Sequence, residues 1–358
     1  MTVLDRRHLL GAAGALLLPA CTTGRVGTAS APPRCLPPVN VAADRVIRTA
    51  AGLRPFRPAG FRVERGALGD KALVHNYGHG GAGITLSWGT SKLAVELGLP
   101  GHSGAVAVIG AGIVGLTTAR LVQEAGFPVT VYAAALPPDT TSNVSGGQIH
   151  AVSYFDRAAV TPAWLAQAER AEDYSWRRFQ IMVGDDYGIR WVPTYVDGGS
   201  RQRPHMPAYQ TLEPKAWPFG GEQLLRYDTM YVETGRFLRE LAKDIQIGGG
   251  RILVRRFDTP AAVAALPETL VFNCTGLGAA ALFGDTTLYP VRGQLAILLP
   301  QPEIQYAYSG RAGYMFPRSD GIVLGGTYEQ YVDDPTPQPA AIAQIIASHR
   351  RLFTGFRC

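Results

Sequence analysis

The sequence predicts an α/β protein that joins a Rossmann-like dinucleotide-binding domain to a second domain of mixed strands. Three observations predict it. Val106 to Ile109 is an unbroken run of small and branched apolar residues, as in a parallel strand buried on both faces. The fingerprint Gly110-Ala111-Gly112-Ile113-Val114-Gly115 follows at once. A helical stretch from Ile113 to Ala125 then leads to another buried strand at Val129 to Tyr132. The chain has 358 residues and is 46% hydrophobic, which suits two domains with sizeable cores.

Residues 1–21 read as a targeting segment. Arg6-Arg7 precede an apolar run from Leu9 to Ala20. That run is too short to stay in a bilayer as a spanning helix and suits the core of a signal peptide. The twin arginine resembles a Tat signal. Leu18-Pro19-Ala20-Cys21 resembles a lipobox, with Cys21 as the lipidated residue. The expectation is export of a folded protein by the Tat machinery and a lipid anchor in the membrane, in the periplasm or cell envelope. Residues 22–44, rich in Pro, Ala and Thr, read as a linker with too few apolar side chains to offset its ordering entropy.

Val46 to Thr49 and Ala72 to Asn76 read as strands. A Gly-rich turn follows, and Ile84 to Leu97 has helical spacing. Pro100 to Gly104 reads as a seam before the fingerprint. Beyond it, Pro162 to Met182, Gly235 to Asp244 and Pro339 to Phe353 read as helices. Strands are expected at Ile189 to Val196, Leu225 to Val232, Arg251 to Arg255, Thr269 to Asn273, Gln294 to Leu299, Tyr314 to Phe316 and Ile322 to Leu324. The formal charge is +6, but the basic residues form no run, so the charge reads as a solvated surface and not a nucleic-acid footprint.

In the fingerprint, Gly110 permits the tight turn, Gly112 lets the backbone approach a pyrophosphate, and Gly115 lets the helix pack on the strand. The phosphates sit on the helix N-terminus. These residues alone leave FAD and NAD unresolved. The fold usually places a carboxylate at the end of its second strand to hold the ribose, yet here Val131-Tyr132 is followed by Ala133-Ala134-Ala135. Ala134 falls where the acid would be.

Two further segments decide between the cofactors. His75-Asn76-Tyr77-Gly78-His79-Gly80-Gly81-Ala82-Gly83, with Gly52-Leu53-Arg54-Pro55 before it, resembles the C-terminal signature of the D-amino acid oxidase family. The fingerprint resembles that family's N-terminal FAD motif. The usual order is inverted, so the chain reads as a circularly permuted member. The expected spans are residues 45–100 for the permuted C-terminal segment, 101–150 for the FAD-binding βαβ unit, and 151–358 for the substrate domain. Segments near 269–284 and 320–358 are expected to return to the FAD domain.

The resemblance implies FAD as cofactor and assigns roles residue by residue. Gly80, Gly81, Gly83, Ile84 and Thr85 would contact the flavin, and Gly81 also borders the reacting centre. Thr140, Thr141, Ser142, Gly146, Gly147 and Gln148 resemble the family's Thr-rich loop beside the cofactor. Thr275 and Gly276 would lie beneath the adenosine half. Arg54 matches the carboxylate-binding arginine, whose fork pairs bidentately with a carboxylate, and Tyr314 matches its tyrosine partner. Arg57 suits packing or an ion pair. The family's lid tyrosine has no match in the short stretch from Tyr306 to Arg311, where Arg311 reads as solvated. Tyr227, Thr229 and Tyr231 share one strand face and are candidates for the pocket wall. His75 and His79 lie on a strand and a turn, and no metal is expected.

The implied reaction is oxidative deamination of D-amino acids to 2-oxo acids and ammonia. Hydride passes to flavin N5, and oxygen or another acceptor takes the electrons. The alternatives are a glycine or secondary-amine oxidase, an amino-acid dehydrogenase, and a non-catalytic flavin-binding envelope protein. Permutation brings the termini together, which implies a disulfide between Cys35 and Cys358; Cys274 sits at a buried strand end.

Overall fold

In this computed structural model, residues 35–198, 202–213, 217–219 and 223–356 are described. Cys21 and Cys358 lie outside them. The elements run β1 (Val46–Phe56), β2 (Arg62–Leu68), β3 (Lys71–Tyr77), α1 (Gly83–Gly98), β4 (Val106–Ile109), α2 (Ile113–Glu124), β5 (Val129–Ala133) and α3 (Pro162–Ile181). They continue with β6 (Ile189–Asp197), β7 (Gln210–Leu212), β8 (Leu224–Val232), α4 (Thr234–Ile247), β9 (Arg251–Val254), α5 (Pro260–Ala264), β10 (Leu270–Asn273) and α6 (Gly278–Phe283). The last are β11 (Tyr289–Leu298), β12 (Ala307–Gly310), β13 (Gly313–Arg318), β14 (Gly321–Gly325), β15 (Glu329–Gln330) and α7 (Pro339–Thr354).

Six strands form the nucleotide-type sheet, in the order β2-β3-β10-β4-β5-β9. All its neighbouring pairs are parallel except β2 with β3. Both faces are covered, which is why β4 and β10 read as continuous apolar runs. Val106 and Val108 face one core with α1 to α4, while Ala107 and Ile109 face another with Val263, Leu266 and Leu282.

The other sheet has nine strands, ordered β1-β11-β14-β13-β12-β6-β8-β7 with β15 beside β11. Ala296, Leu298 and Met315 turn toward α7, and Leu295, Ile297 and Phe316 turn the other way. Segment 320–358 was expected in the FAD domain; its described part, residues 320–356, belongs here instead. β14 pairs antiparallel with β11 and β13, and α7 buries Ile342, Ile345 and Phe353 on this sheet. Segment 269–284 does enter the six-stranded sheet through β10.

β1 runs seven residues past the expected Thr49, through Gly52 and Pro55. It is an edge strand, so the missing N–H of Pro55 leaves no partner unsatisfied on its open side. The linker expectation also needs correcting at its end. Val39 and Val41 are buried in the core beneath α7, and Gln301 bonds both polar groups of the Asn40 backbone. Two alternating valines and a side-chain clamp suffice to dock this stretch.

Candidate active site

Five parallel strands end on one edge of the six-stranded sheet, and a cavity of about 490 Å³ crosses those ends. This is where open α/β sheets bind ligands. Strand order sets the order of its walls: Gly78 after β3, Thr275 after β10, Gly110 after β4, Ala134 after β5 and Arg255 after β9. Arg54, Gly293, Leu295 and Tyr314 from the nine-stranded sheet line the same cavity.

The fingerprint turn is locally determined. Gly110 has φ +111°, and a Cβ there would lie 2.4 Å from the Cys274 carbonyl oxygen. Helix α2 starts at Ile113 with Gly112 as an N-cap that has no side chain, so amides of its first turn are left for a ligand. Ile113 N is the exception, donating to Ser142 Oγ at 3.0 Å. Helix α1 likewise starts without a side-chain cap. The residues Gly110 to Val114, Thr140 to Ser142, Thr275, Gly276, Gly80, Gly81, Gly83 and Ile84 all line the cavity.

The remaining expected cofactor residues stand behind that wall. A Cβ on Gly115 would meet the Gly110 carbonyl oxygen at 1.9 Å, so this glycine serves helix–strand contact. Gly146 packs against Phe316 and Tyr314, and Gly147 against the Val232 carbonyl. Gln148 turns away and donates to Tyr231 Oη at 2.9 Å. Thr85 accepts from His150 N and donates to Gln148 O. Tyr227, Thr229 and Tyr231 are buried and back Gln148 and Ile149; they are absent from the cavity wall. Burial pushes the Tyr227 hydroxyl up to about 12. The alternation along the strand is present, but its face points into packed protein.

His75 and His79 are neutral packing groups. Burial drives His75 down to about 4 and His79 to about 3. Asn273 donates to His75 Nδ1 at 3.0 Å, and His79 Nε2 pairs with Thr90 at 2.9 Å. Arg57 pairs with Asp285 at 2.8 Å, which also accepts from Tyr77. Cys274 is a free buried thiol pushed up to about 12.

At the other end, Arg54 makes no ion pair among the described residues. Its guanidinium lies against Gly293, where a Cβ would sit 2.5 Å from Nη2. Its positive charge beside the Tyr314 hydroxyl opposes the upward push of burial on that phenol. Tyr314 stacks on Phe316 at 4.5 Å and leans on Gly325 and Gly326. The Tyr328 ring lies 5.9 Å from the Arg54 guanidinium carbon. Between β12 and β13 only Arg311 and Ala312 intervene, so this hairpin projects no lid. Tyr306 and Tyr308 are core residues, and Arg311 is exposed, paired with Asp197 at 2.9 Å. Gly293 was not singled out from the sequence, where its only signal was a glycine between Arg292 and Gln294, just ahead of the expected strand.

A family model described as "DAO: FAD dependent oxidoreductase" matches residues 29–97 and 105–357. D-amino-acid oxidase of Streptomyces coelicolor is 31% identical over 254 residues, covering 68% of this chain and 76% of that protein. D-aspartate oxidase of Homo sapiens is 29% identical over 246 residues, 63% of this chain and 69% of that protein. The crystal structure of glycine oxidase from Geobacillus kaustophilus is similar with a TM-score of 0.54 at 16% identity, covering 69% of this chain and 78% of that one.

Proposed function

The chain belongs to the DAO family of FAD-dependent oxidoreductases, and we propose that it oxidises D-amino acids to 2-oxo acids and ammonia, with oxygen as the acceptor. It is an enzyme of the amino-acid oxidase type, and FAD is its cofactor. The cavity fits that cofactor. It spans the ends of five strands, is walled by glycines and small hydroxyl residues, and receives the uncapped starts of α1 and α2. Gly110 to Val114 would hold the pyrophosphate. Gly80 to Ile84 would face the flavin, where amides at a helix start stabilise negative charge.

The observation that carries the substrate reading is the cation at the flavin end. Arg54 has no carboxylate partner and shares its edge of the cavity with the Tyr314 hydroxyl. A guanidinium fork and a phenol are built to hold one carboxylate in a fixed plane. Bound FAD supplies the two-electron acceptor. The protein orients the α-carbon and shields it from water. No base is available at the flavin end: His79 lines the cavity but burial keeps it neutral and its ring is paired with Thr90 of α1, His75 is bonded to Asn273, and the cavity's sole carboxylate among the described residues, Asp258, lies at the opposite end. The substrate therefore has to bind as the neutral amine, and water hydrolyses the imino acid afterwards. The short β12–β13 hairpin keeps a second reading in play, in which glycine or a secondary amine is the substrate.

Anaerobic mixing of protein lacking residues 1–21 with D- and L-amino acids, glycine and N-methylglycine decides between them. Bleaching of the flavin band by D-amino acids is the expected result. Bleaching by glycine and N-methylglycine alone would establish the second reading, and a band that no amine bleaches would overturn both.

The permuted order, export and lipid anchoring belong to the same proposal. Supporting the permutation, the family model matches in two blocks, and the described stretches nearest the two ends meet at one side chain. Tyr306 donates to Pro37 O at 2.8 Å, and its ring stacks with Phe356 at 6.5 Å. Cys35 is disulfide-bonded. Peptide mapping of unreduced, exported protein should return Cys35 linked to Cys358 and a lipid on Cys21. Recovery of Cys358 as a free thiol would remove the first expectation, and an unmodified Cys21 the second.

A further inference from the structure

The end of β5 presents Ala133, Ala134 and Ala135 to the cavity, with no side chain able to hold a ribose hydroxyl. Ribose hydroxyls of a bound ligand seek hydrogen-bond partners, and a neighbouring strand end can supply one. The next strand is β9, parallel to β5, with Ala133 paired to Val254 and Arg255 N donating to Ala133 O at 2.8 Å. The two strand ends therefore sit side by side, about 4.8 Å apart. The turn that leaves β9, Arg255 to Asp258, lines the same cavity.

We propose that Asp258 holds the ribose of the adenosine half of FAD, replacing from β9 the carboxylate that this fold takes from the end of β5. Asp258 is the only carboxylate among the described residues lining the cavity. Arg256 Nε is its partner at 2.9 Å, and both side chains are more than three-quarters exposed. Such a pair is weak in water. An ionised carboxylate has about four acceptor sites, so it can take two ribose hydroxyls and keep Arg256. Arg255 is engaged elsewhere, its guanidinium lying over the Phe257 ring at 4.7 Å and the Tyr132 ring at 6.0 Å. The inference rests on FAD binding and is independent of the substrate.

Diluting the full-length holoenzyme and reading the fluorescence of released flavin gives the dissociation constant. Asp258→Ala should raise it by about 10- to 100-fold, the loss of one charge-assisted hydrogen bond. The same measurement with FAD whose adenosine ribose lacks its 2′-hydroxyl tests the contact itself. Wild-type protein should prefer FAD over that analogue, and the variant should not distinguish them. A variant that binds FAD as tightly as wild type, or that keeps the wild-type preference, would overturn the assignment. Placing the acid back on β5 as Ala134→Glu in the Asp258→Ala background should recover affinity. A failure here leaves amine-dependent bleaching intact, so the two proposals fail separately.

Discussion

Replacing Arg54 with alanine is expected to lower kcat/KM for amino acids by about 10²- to 10³-fold while FAD stays bound. Truncating one partner of a desolvated, hydrogen-bonded charge pair costs about 2–5 kcal/mol, which brackets that range. The loss should fall mainly on KM, because the carboxylate is held in both the ground and the transition state. Arg54→Lys keeps the charge but loses the planar fork, so it should recover only part of the activity. Tyr314→Phe removes one neutral donor worth about 0.5–1.5 kcal/mol and should cost about 3- to 10-fold. Stability should hold in every case, since Arg54 has no ion pair to lose among the described residues. Steady-state kinetics with a D-amino acid, alongside the visible flavin spectrum, checks all three. A KM for Arg54→Ala equal to wild type would take the arginine out of the site.

Much of this site was legible because its requirements are local. A tight turn after a buried strand needs glycine at Gly110, and close helix packing needs it at Gly115; both needs are met within six residues. The Gly-rich turn at Gly80 was equally visible, although its reason is partly different. Gly80 has φ +51°, and a Cβ there would lie 2.6 Å from the Ser153 carbonyl oxygen, so the neighbouring chain by itself already restricts it.

What stayed hidden depends on pairing across long separations. β2 carries mostly exposed side chains at a sheet edge, so it lacks the alternation that marks a half-buried strand. The apolar runs of β14 and α7 are compatible with either sheet, and only the antiparallel register with β11 and β13 assigns them. The face shared by Tyr227 and Tyr231 was readable, but not that Gln148 would cover it. The missing acid at Ala134 could be seen in the sequence. Its replacement could not, because Asp258 comes near only through the β5–β9 register.

Gly293→Ala is expected to depress kcat/KM by about 10²-fold with almost no change in stability. β1 and β11 pair antiparallel with Gly52 opposite Gly293 and Arg54 opposite Val291. The Arg54 side chain therefore leans diagonally across the pair and rests where a Cβ on Gly293 would be, 2.5 Å from Nη2 and 2.8 Å from Cζ. The obstructing atoms are the far end of a flexible side chain, so the arginine can swing aside without disturbing the strands. Alanine also removes the intrinsic penalty of glycine inside a strand, about 0.5–1 kcal/mol, which offsets the displacement. Activity has no such escape. A shift of about 1 Å in a group that fixes the α-carbon costs about 10²-fold. The urea midpoint and the flavin spectrum should match wild type while turnover falls. Because both substitutions remove the same contact, the Arg54→Ala/Gly293→Ala double variant should be no slower than Arg54→Ala alone. Additive losses would mean that Gly293 acts on something other than the guanidinium.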